Sequence, residues 1–265
     1  MVFTPDDLKI NAPEVKEVIV GFIEGHVSAG GVEGVVLAMS GGVDSSLAAA
    51  LCTEAIGGKN VTGITFRDPV LPKADLLDAK SFAQSLSINF VTCDITKPLD
   101  TTLGEIPVYD PDDLLSSGNL KVRLRTVILY YFANRLDLLV VGTSNKSELL
   151  TGYFTKYGDG AADLIPLGDL FKTQVIQLAE YVDIPERILG KPPSAGLWPG
   201  QLDEDELGLP YDLLDLILYG YERDLRPDLI AEGTGVDRLL VDKVLERCRK
   251  NEHKRQLPPI PKIEV

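Results

Sequence analysis

Ser40-Gly41-Gly42-Val43-Asp44-Ser45-Ser46 follows the apolar run Val35-Val36-Leu37-Ala38-Met39 and precedes the small-residue run Leu47-Ala48-Ala49-Ala50-Leu51-Cys52. An apolar strand, a glycine turn and a helix, in that order, build an anion site. Gly41 and Gly42 permit positive φ and a close approach of the backbone to a ligand. The unpaired amides that open the next helix face that ligand, with the positive end of the helix dipole behind them. The hydroxyls of Ser40, Ser45 and Ser46 add donors for phosphate oxygens. Asp44 suits an anion site only by holding a metal that bridges to the phosphates. The spacing is neither GxxxxGK[ST] nor GxGxxG.

Working outward, residues 61–66, 90–93 and 138–141 repeat the pattern of a buried parallel strand set by residues 35–39. Helical patterns over 45–55, 75–86 and 121–136 separate them, and an amphipathic helix over 14–28 comes first. Strands alternating with helices predict an α/β fold, a doubly wound parallel sheet flanked by helices. Ligands of such folds bind beyond the carboxyl ends of the strands. Ser40–Ser46 follow the first strand, Arg67 the second and Gly142-Thr143 the fourth, so the chemistry gathers along one edge. Further helices are expected over 172–183 and 211–219. A capping signal at Thr234 and Asp237 predicts a last helix reaching about residue 250. No linker divides the chain, which reads as a single domain over residues 1–265.

Net charge is −14 on 265 residues, which counts against a nucleic-acid partner needing a basic face. The sequence has no apolar stretch of membrane-spanning length and no signal-peptide pattern, so no membrane partner and a cytoplasmic location are expected. Cys52, Cys93 and Cys248 are odd in number and form no CxxC pair, so neither a disulfide framework nor a zinc ribbon is indicated; Cys52 and Cys93 read as small core residues.

Two further segments carry chemistry. Gly142-Thr143-Ser144-Asn145-Lys146-Ser147-Glu148 offers a hydroxyl and a carboxylate after the fourth strand. Mg²⁺ is commonly held by one or two carboxylates and substrate phosphates, a role Asp44 and Glu148 would fit; alone, Glu148 reads equally as a first-turn helix acid. Tyr153, Phe154 and Tyr157 among glycines could stack a flat ring, with Lys156 as a point charge and Asp163 as an anchor, or could pack on the core. The helix over 121–136 is apolar in nearly every direction and must be buried, in the core or against another chain.

SGGVDSS resembles the pyrophosphate loop of the N-type ATP pyrophosphatases, the adenine-nucleotide alpha-hydrolase-like enzymes that cleave ATP between its α and β phosphates. Read with GNLKVRLR (118–125), GTSNKSE (142–148), GYFTKYGDGAAD (152–163), Lys172, Pro193-Ser194-Ala195 and His253-Lys254-Arg255, the sequence resembles ammonia-dependent NAD⁺ synthetases over about residues 14–256. The resemblance implies that Met39, Ser40, Gly41, Gly42, Val43, Asp44, Ser45 and Ser46 hold ATP, with Arg67, Thr143, Lys172 and Ser194. It places Mg²⁺ on Asp44 and Glu148, and gives Asp44 and Lys172 the catalytic roles. Deamido-NAD⁺ falls to Arg123, Lys156, Asp163, His253 and Lys254. A homodimer packed on the helix over 121–136, a mobile loop over 194–208 and ammonia as nitrogen donor complete the expectation. Arg67-Asp68-Pro69 replaces the RLPxG usual in many members. With two histidines and no Ser-His or Cys-His arrangement, no covalent nucleophile is indicated. The alternatives are another amidating or thiolating pyrophosphatase, or an adenine-nucleotide sensor.

Overall fold

The computed structural model describes residues 4–263. Four strands, β1 (Gly34–Ala38), β2 (Val61–Arg67), β3 (Asn89–Asp94) and β4 (Leu138–Val141), form one parallel sheet in the order β3-β2-β1-β4. The chain winds outward from β1 through β2 to β3, then crosses back so that β4 pairs with the other side of β1. Val35 lies beside Val61 on one flank and Leu139 on the other. The winding direction therefore reverses between β1 and β4, which opens a crevice beyond their carboxyl ends.

Alternation along β1 sorts its side chains to two cores. Val35 and Leu37 join a cluster with α1 (Ala12–Gly30), α2 (Val43–Ile56), α3 (Lys73–Ser85) and α7 (Lys172–Tyr181). Val36 faces the other way, with Ile64, Phe66 and Val140, onto Leu129 and Ala133 of α5 (Leu114–Leu136). A third cluster joins α10 (Tyr211–Glu222), α11 (Pro227–Thr234) and α12 (Arg238–Lys250) to Phe171 and Leu8.

The strands fall within a residue of their expected bounds at each end. Sequence periodicity missed α4 (Thr96–Gly104) and the short α6 (Lys146–Thr151), α8 (Glu186–Leu189) and α9 (Asp203–Leu207), as well as α11. The expected capping box at Thr234 and Asp237 does not form. Thr234 ends α11, its hydroxyl donating to the Ile230 carbonyl, and Gly235 turns the chain in the left-handed region. Asp237 alone caps α12, accepting from the Leu239 amide at 2.8 Å. Helix α5 begins seven residues before its apolar stretch, capped by Asp113. Cys52 and Cys248 are fully buried, whereas Cys93 is half-buried.

Candidate active site

The turn at residues 40–42 is closed by its own serines. Ser45 Oγ donates to the Gly42 carbonyl and lies 3.1 Å from Ser40 Oγ, which accepts the Gly42 amide at 3.2 Å. Gly41 has φ +85°, and a Cβ there would sit 2.4 Å from the Asp75 carbonyl oxygen, so only glycine fits. Helix α2 starts at once, leaving its first-turn amides without intrahelical partners. Ser46 Oγ is fully buried and has no hydrogen-bond partner. Met39 is the exception in this stretch: its side chain is core, packed on Gly63.

Asp44 projects from the first turn of α2 to the amino end of α7, where Lys172 Nζ pairs with its Oδ2. Lys172 is 4% exposed. Burial pulls its ammonium pKa down, but the carboxylates of Asp44 and Glu148 outweigh that and hold it raised. Asn145 ties the two carboxylates into one unit. Its Nδ2 donates to Asp44 Oδ1 at 3.0 Å, while its Oδ1 accepts the Glu148 amide and its own amide donates to Glu148 Oε2. This capping box starts α6, and the Asn-x-x-Glu spacing makes it readable from sequence. Burial and the neighbouring Asp44 charge push the Glu148 carboxyl well above the usual range. A carboxyl held against a second carboxylate in this way suits a divalent cation.

Residues that carried no sequence signal support this cluster. Asp215, fully buried on α10, accepts from Ser147 Oγ and from the Thr173 amide at 2.8 Å. Ser147 Oγ in turn accepts the Lys172 amide at 2.9 Å, so one carboxylate fixes the start of α6 and α7 together. Burial raises the Asp215 pKa to about 6. Lys191 Nζ reaches the Gly41 carbonyl, Asp75 and Asp78, joining the turn to the base of the 194–208 loop. That loop lies over the site: Lys121 Nζ donates to the Leu197 carbonyl at 2.9 Å, and a Cβ on Gly118 would come within 3.2 Å of Leu197. Ser194 Oγ donates to the Gln201 carbonyl inside the same loop.

A cavity of about 690 Å³ opens at the carboxyl ends of β1 and β4. Its floor is the crevice at Ala38, Val141, Gly142 and Thr143; its walls include Tyr153, Phe154, Leu197 and Trp198. Arg123, Lys156, His253 and Lys254 meet at one place. Arg123 Nε donates to the Lys156 carbonyl, Lys156 Nζ to the His253 carbonyl, and Lys254 Nζ to the carbonyls of Gly152 and Phe154.

Two expected residues are engaged elsewhere. Asp163 accepts the Val140 amide at 2.7 Å and the Tyr130 hydroxyl, so it braces β4. Arg67 pairs with Asp94 across the ends of β2 and β3, while the neighbouring Asp68 is buried against Arg125 and Lys121.

Residues 15–258 match the profile of the NAD synthase family. The chain is 45% identical to the NH(3)-dependent NAD(+) synthetase of Methanocaldococcus jannaschii, over 94% of this chain and 97% of the relative. It is 46% identical to the one from Hyperthermus butylicus, over 91% and 87%. Among solved structures, an NMN synthetase from Francisella tularensis superposes with TM-score 0.85 at 32% identity, covering 96% of this chain and all of that one. An NH3-dependent NAD synthetase from Campylobacter jejuni does so with TM-score 0.81 at 30% identity and the same coverage. The architecture is thus of the adenine-nucleotide alpha-hydrolase type, and the chain belongs to the NAD synthase family.

Proposed function

We propose that the protein is a ligase that amidates deamido-NAD⁺ with ammonia at the expense of ATP, giving NAD⁺, AMP and pyrophosphate. The observation that carries this is the cluster of half-buried Asp44 and Glu148 with buried Lys172, beside an amide-lined turn, in a chain that also holds a roomy cavity with a cationic wall.

The nicotinate carboxylate oxygen attacks the α-phosphorus of ATP; the bond from that phosphorus to the bridging oxygen breaks, and pyrophosphate leaves. Ammonia nitrogen then bonds to the acyl carbon, the carbon–oxygen bond breaks, AMP departs, and the nitrogen sheds a proton. A carboxylate cannot be amidated directly, since oxide would have to leave; adenylation makes AMP the leaving group. The chain acts by placing two anions together and neutralising charge on the transferred group. The α2 amides and the Ser40, Ser45 and Ser46 hydroxyls receive the phosphates, and Lys172 meets the charge that develops at the α-phosphorus. Mg²⁺, held by Asp44 and Glu148, would add neutralisation of the phosphate oxygens. Thr143, at the β4 end of the crevice, and Ser194, in the overlying loop, complete the ATP side. Arg123, Lys156, His253 and Lys254 take the dinucleotide. Arg67 joins the ATP side by the family resemblance alone, since its guanidinium pairs with Asp94; Asp163 acts through its hold on β4.

Val127 and Tyr131 of α5 are 66% and 70% exposed, on the helix whose sequence is apolar almost all round. An apolar stripe left open in one chain supports a homodimer packed on α5; light scattering gives the mass. The acidic surface speaks against nucleic acid, and no described helix is long and apolar enough to cross a membrane. We place the enzyme in the cytoplasm, as one synthetase unit over residues 1–265. Incubation with ATP, Mg²⁺, ammonium and deamido-NAD⁺ tests the reading. Equal amounts of NAD⁺, AMP and pyrophosphate are expected; ADP and phosphate would refute it.

A further inference from the structure

The two structural neighbours carry names that imply substrates of different size, a mononucleotide and a dinucleotide, so backbone likeness does not choose between them. The cavity lining does. The whole chain has 26 cationic against 40 acidic residues, yet the lining reverses that ratio. Arg125, Lys243, Arg247, Lys250 and Lys254 stand there against Asp159, Glu206 and Glu246. Two of those carboxylates are already used by their own chain: Asp159 accepts the Thr155 amide and Glu206 the Gln201 side chain.

Lys243, Arg247 and Lys250 succeed one another at spacings of four and three on α12, so they share one face. They form a cationic stripe about 10 Å long, more than a single phosphate group spans. Arg247 is held at its middle. One guanidinium N–H donates to the Glu206 carbonyl at 2.8 Å, and the group lies 5.6 Å from the centre of the Tyr153 ring. Among the described residues, none of Arg123, Lys156, Lys243, Arg247, Lys250 and Lys254 makes an ion pair. Burial and repulsion from Arg247 and Arg123 depress the Lys254 ammonium. Cations kept close and un-neutralised are stabilised when an anion binds.

We propose that the α12 stripe, centred on Arg247 and flanked by Lys243 and Lys250, receives the phosphate on the adenylyl side of the substrate and so selects a dinucleotide over a mononucleotide. This rests on the amidation reading above and adds a specificity-determining wall to it. Arg123, Lys156 and Lys254 deal with the nicotinate-side phosphate, and the α12 stripe with the one beyond it. Trp198, Tyr153 and Leu115 on the same lining offer flat and apolar surface for the adenine.

The test compares wild type, Arg247→Ala, Arg247→Lys and Lys243→Ala. It reads the KM for deamido-NAD⁺, the KM for ATP, and the Ki of nicotinate mononucleotide as a competitor. Removing a charge-assisted contact should raise the deamido-NAD⁺ KM about 10- to 100-fold in Arg247→Ala. The KM for ATP and the mononucleotide Ki should move less than about twofold. Arg247→Lys should recover part of the loss, and Lys243→Ala should show a smaller rise in the same parameter. An unchanged deamido-NAD⁺ KM would overturn the proposal. So would equal weakening of all three ligands, which is what a merely structural hold on Glu206 predicts. If wild type itself fails to amidate deamido-NAD⁺, the reading of function falls instead, so the two failures are distinguishable.

Discussion

Two groups of charge in the molecule are satisfied in opposite ways. Asp44, Lys172 and Glu148 find their partners inside the chain: an ion pair, an Asn145 bridge and a capping box. Arg123, Lys156, Arg247 and Lys254 hold neutral backbone carbonyls, and the last three also lie over aromatic rings, with no carboxylate partner among the described residues. The first arrangement is pre-organised, as the proposed chemistry requires. The second keeps its charges without carboxylate partners, which is the basis for proposing that an anionic ligand pairs with them. A substitution in the first group should therefore damage both fold and chemistry, and one in the second should damage binding alone.

The largest effect is expected at Lys172→Ala. Removing the cation at the α-phosphorus should lower kcat about 10²- to 10³-fold or more. It should also lower the melting temperature, because Asp44 and Glu148 lose the charge that offsets their repulsion. Lys156→Ala should break this pattern, with a higher deamido-NAD⁺ KM, kcat near wild type and an unchanged melting temperature. Equal destabilisation by the two substitutions, read by calorimetry, would erase the distinction between the groups.

Asp215 sharpens the comparison through pH. Its folded pKa of about 6 stands above the ordinary value of 3.8 because burial disfavours the charge. The folded state thus binds the proton more tightly than the unfolded one. The contribution is fully present below about pH 4 and is lost as pH rises through 6, amounting to about 3 kcal/mol. Urea unfolding of wild type and Asp215→Asn should show the wild-type advantage shrinking across that window. An advantage that grows with pH would contradict the assignment. The smallest effect is ionic: raising salt from 0.05 to 0.3 M (about 14 to 6 Å of Debye length) should raise the deamido-NAD⁺ KM a few-fold and barely move kcat.

The two groups also differ in how far they could be read from sequence. The strand–turn–helix at 35–52 exposes the phosphate site, since each part is local and the winding order of an α/β sheet then brings Gly142–Glu148 beside it. Lys172 came from the family resemblance, and nothing local marks it. Asp215, Lys191 and Arg247 were invisible. Each sits in an ordinary helix or loop, and its role arises only from packing against residues 41 to 150 positions away. Asp163 was legible as a polar anchor, but its hold on the Val140 amide was not, because a carboxylate that braces a strand and one that meets a substrate look alike in sequence.

On the proposed reading, the paired cluster performs adenylation while the unpaired wall selects the substrate. Exchange of labelled pyrophosphate into ATP, with deamido-NAD⁺ present and ammonia absent, tests it most directly. Wild type should exchange only when deamido-NAD⁺ is added. Lys172→Ala should lose exchange at every substrate concentration, and Arg247→Ala should regain most of it at saturating deamido-NAD⁺. Exchange without deamido-NAD⁺, or an Arg247→Ala deficit that saturation does not relieve, would contradict the account.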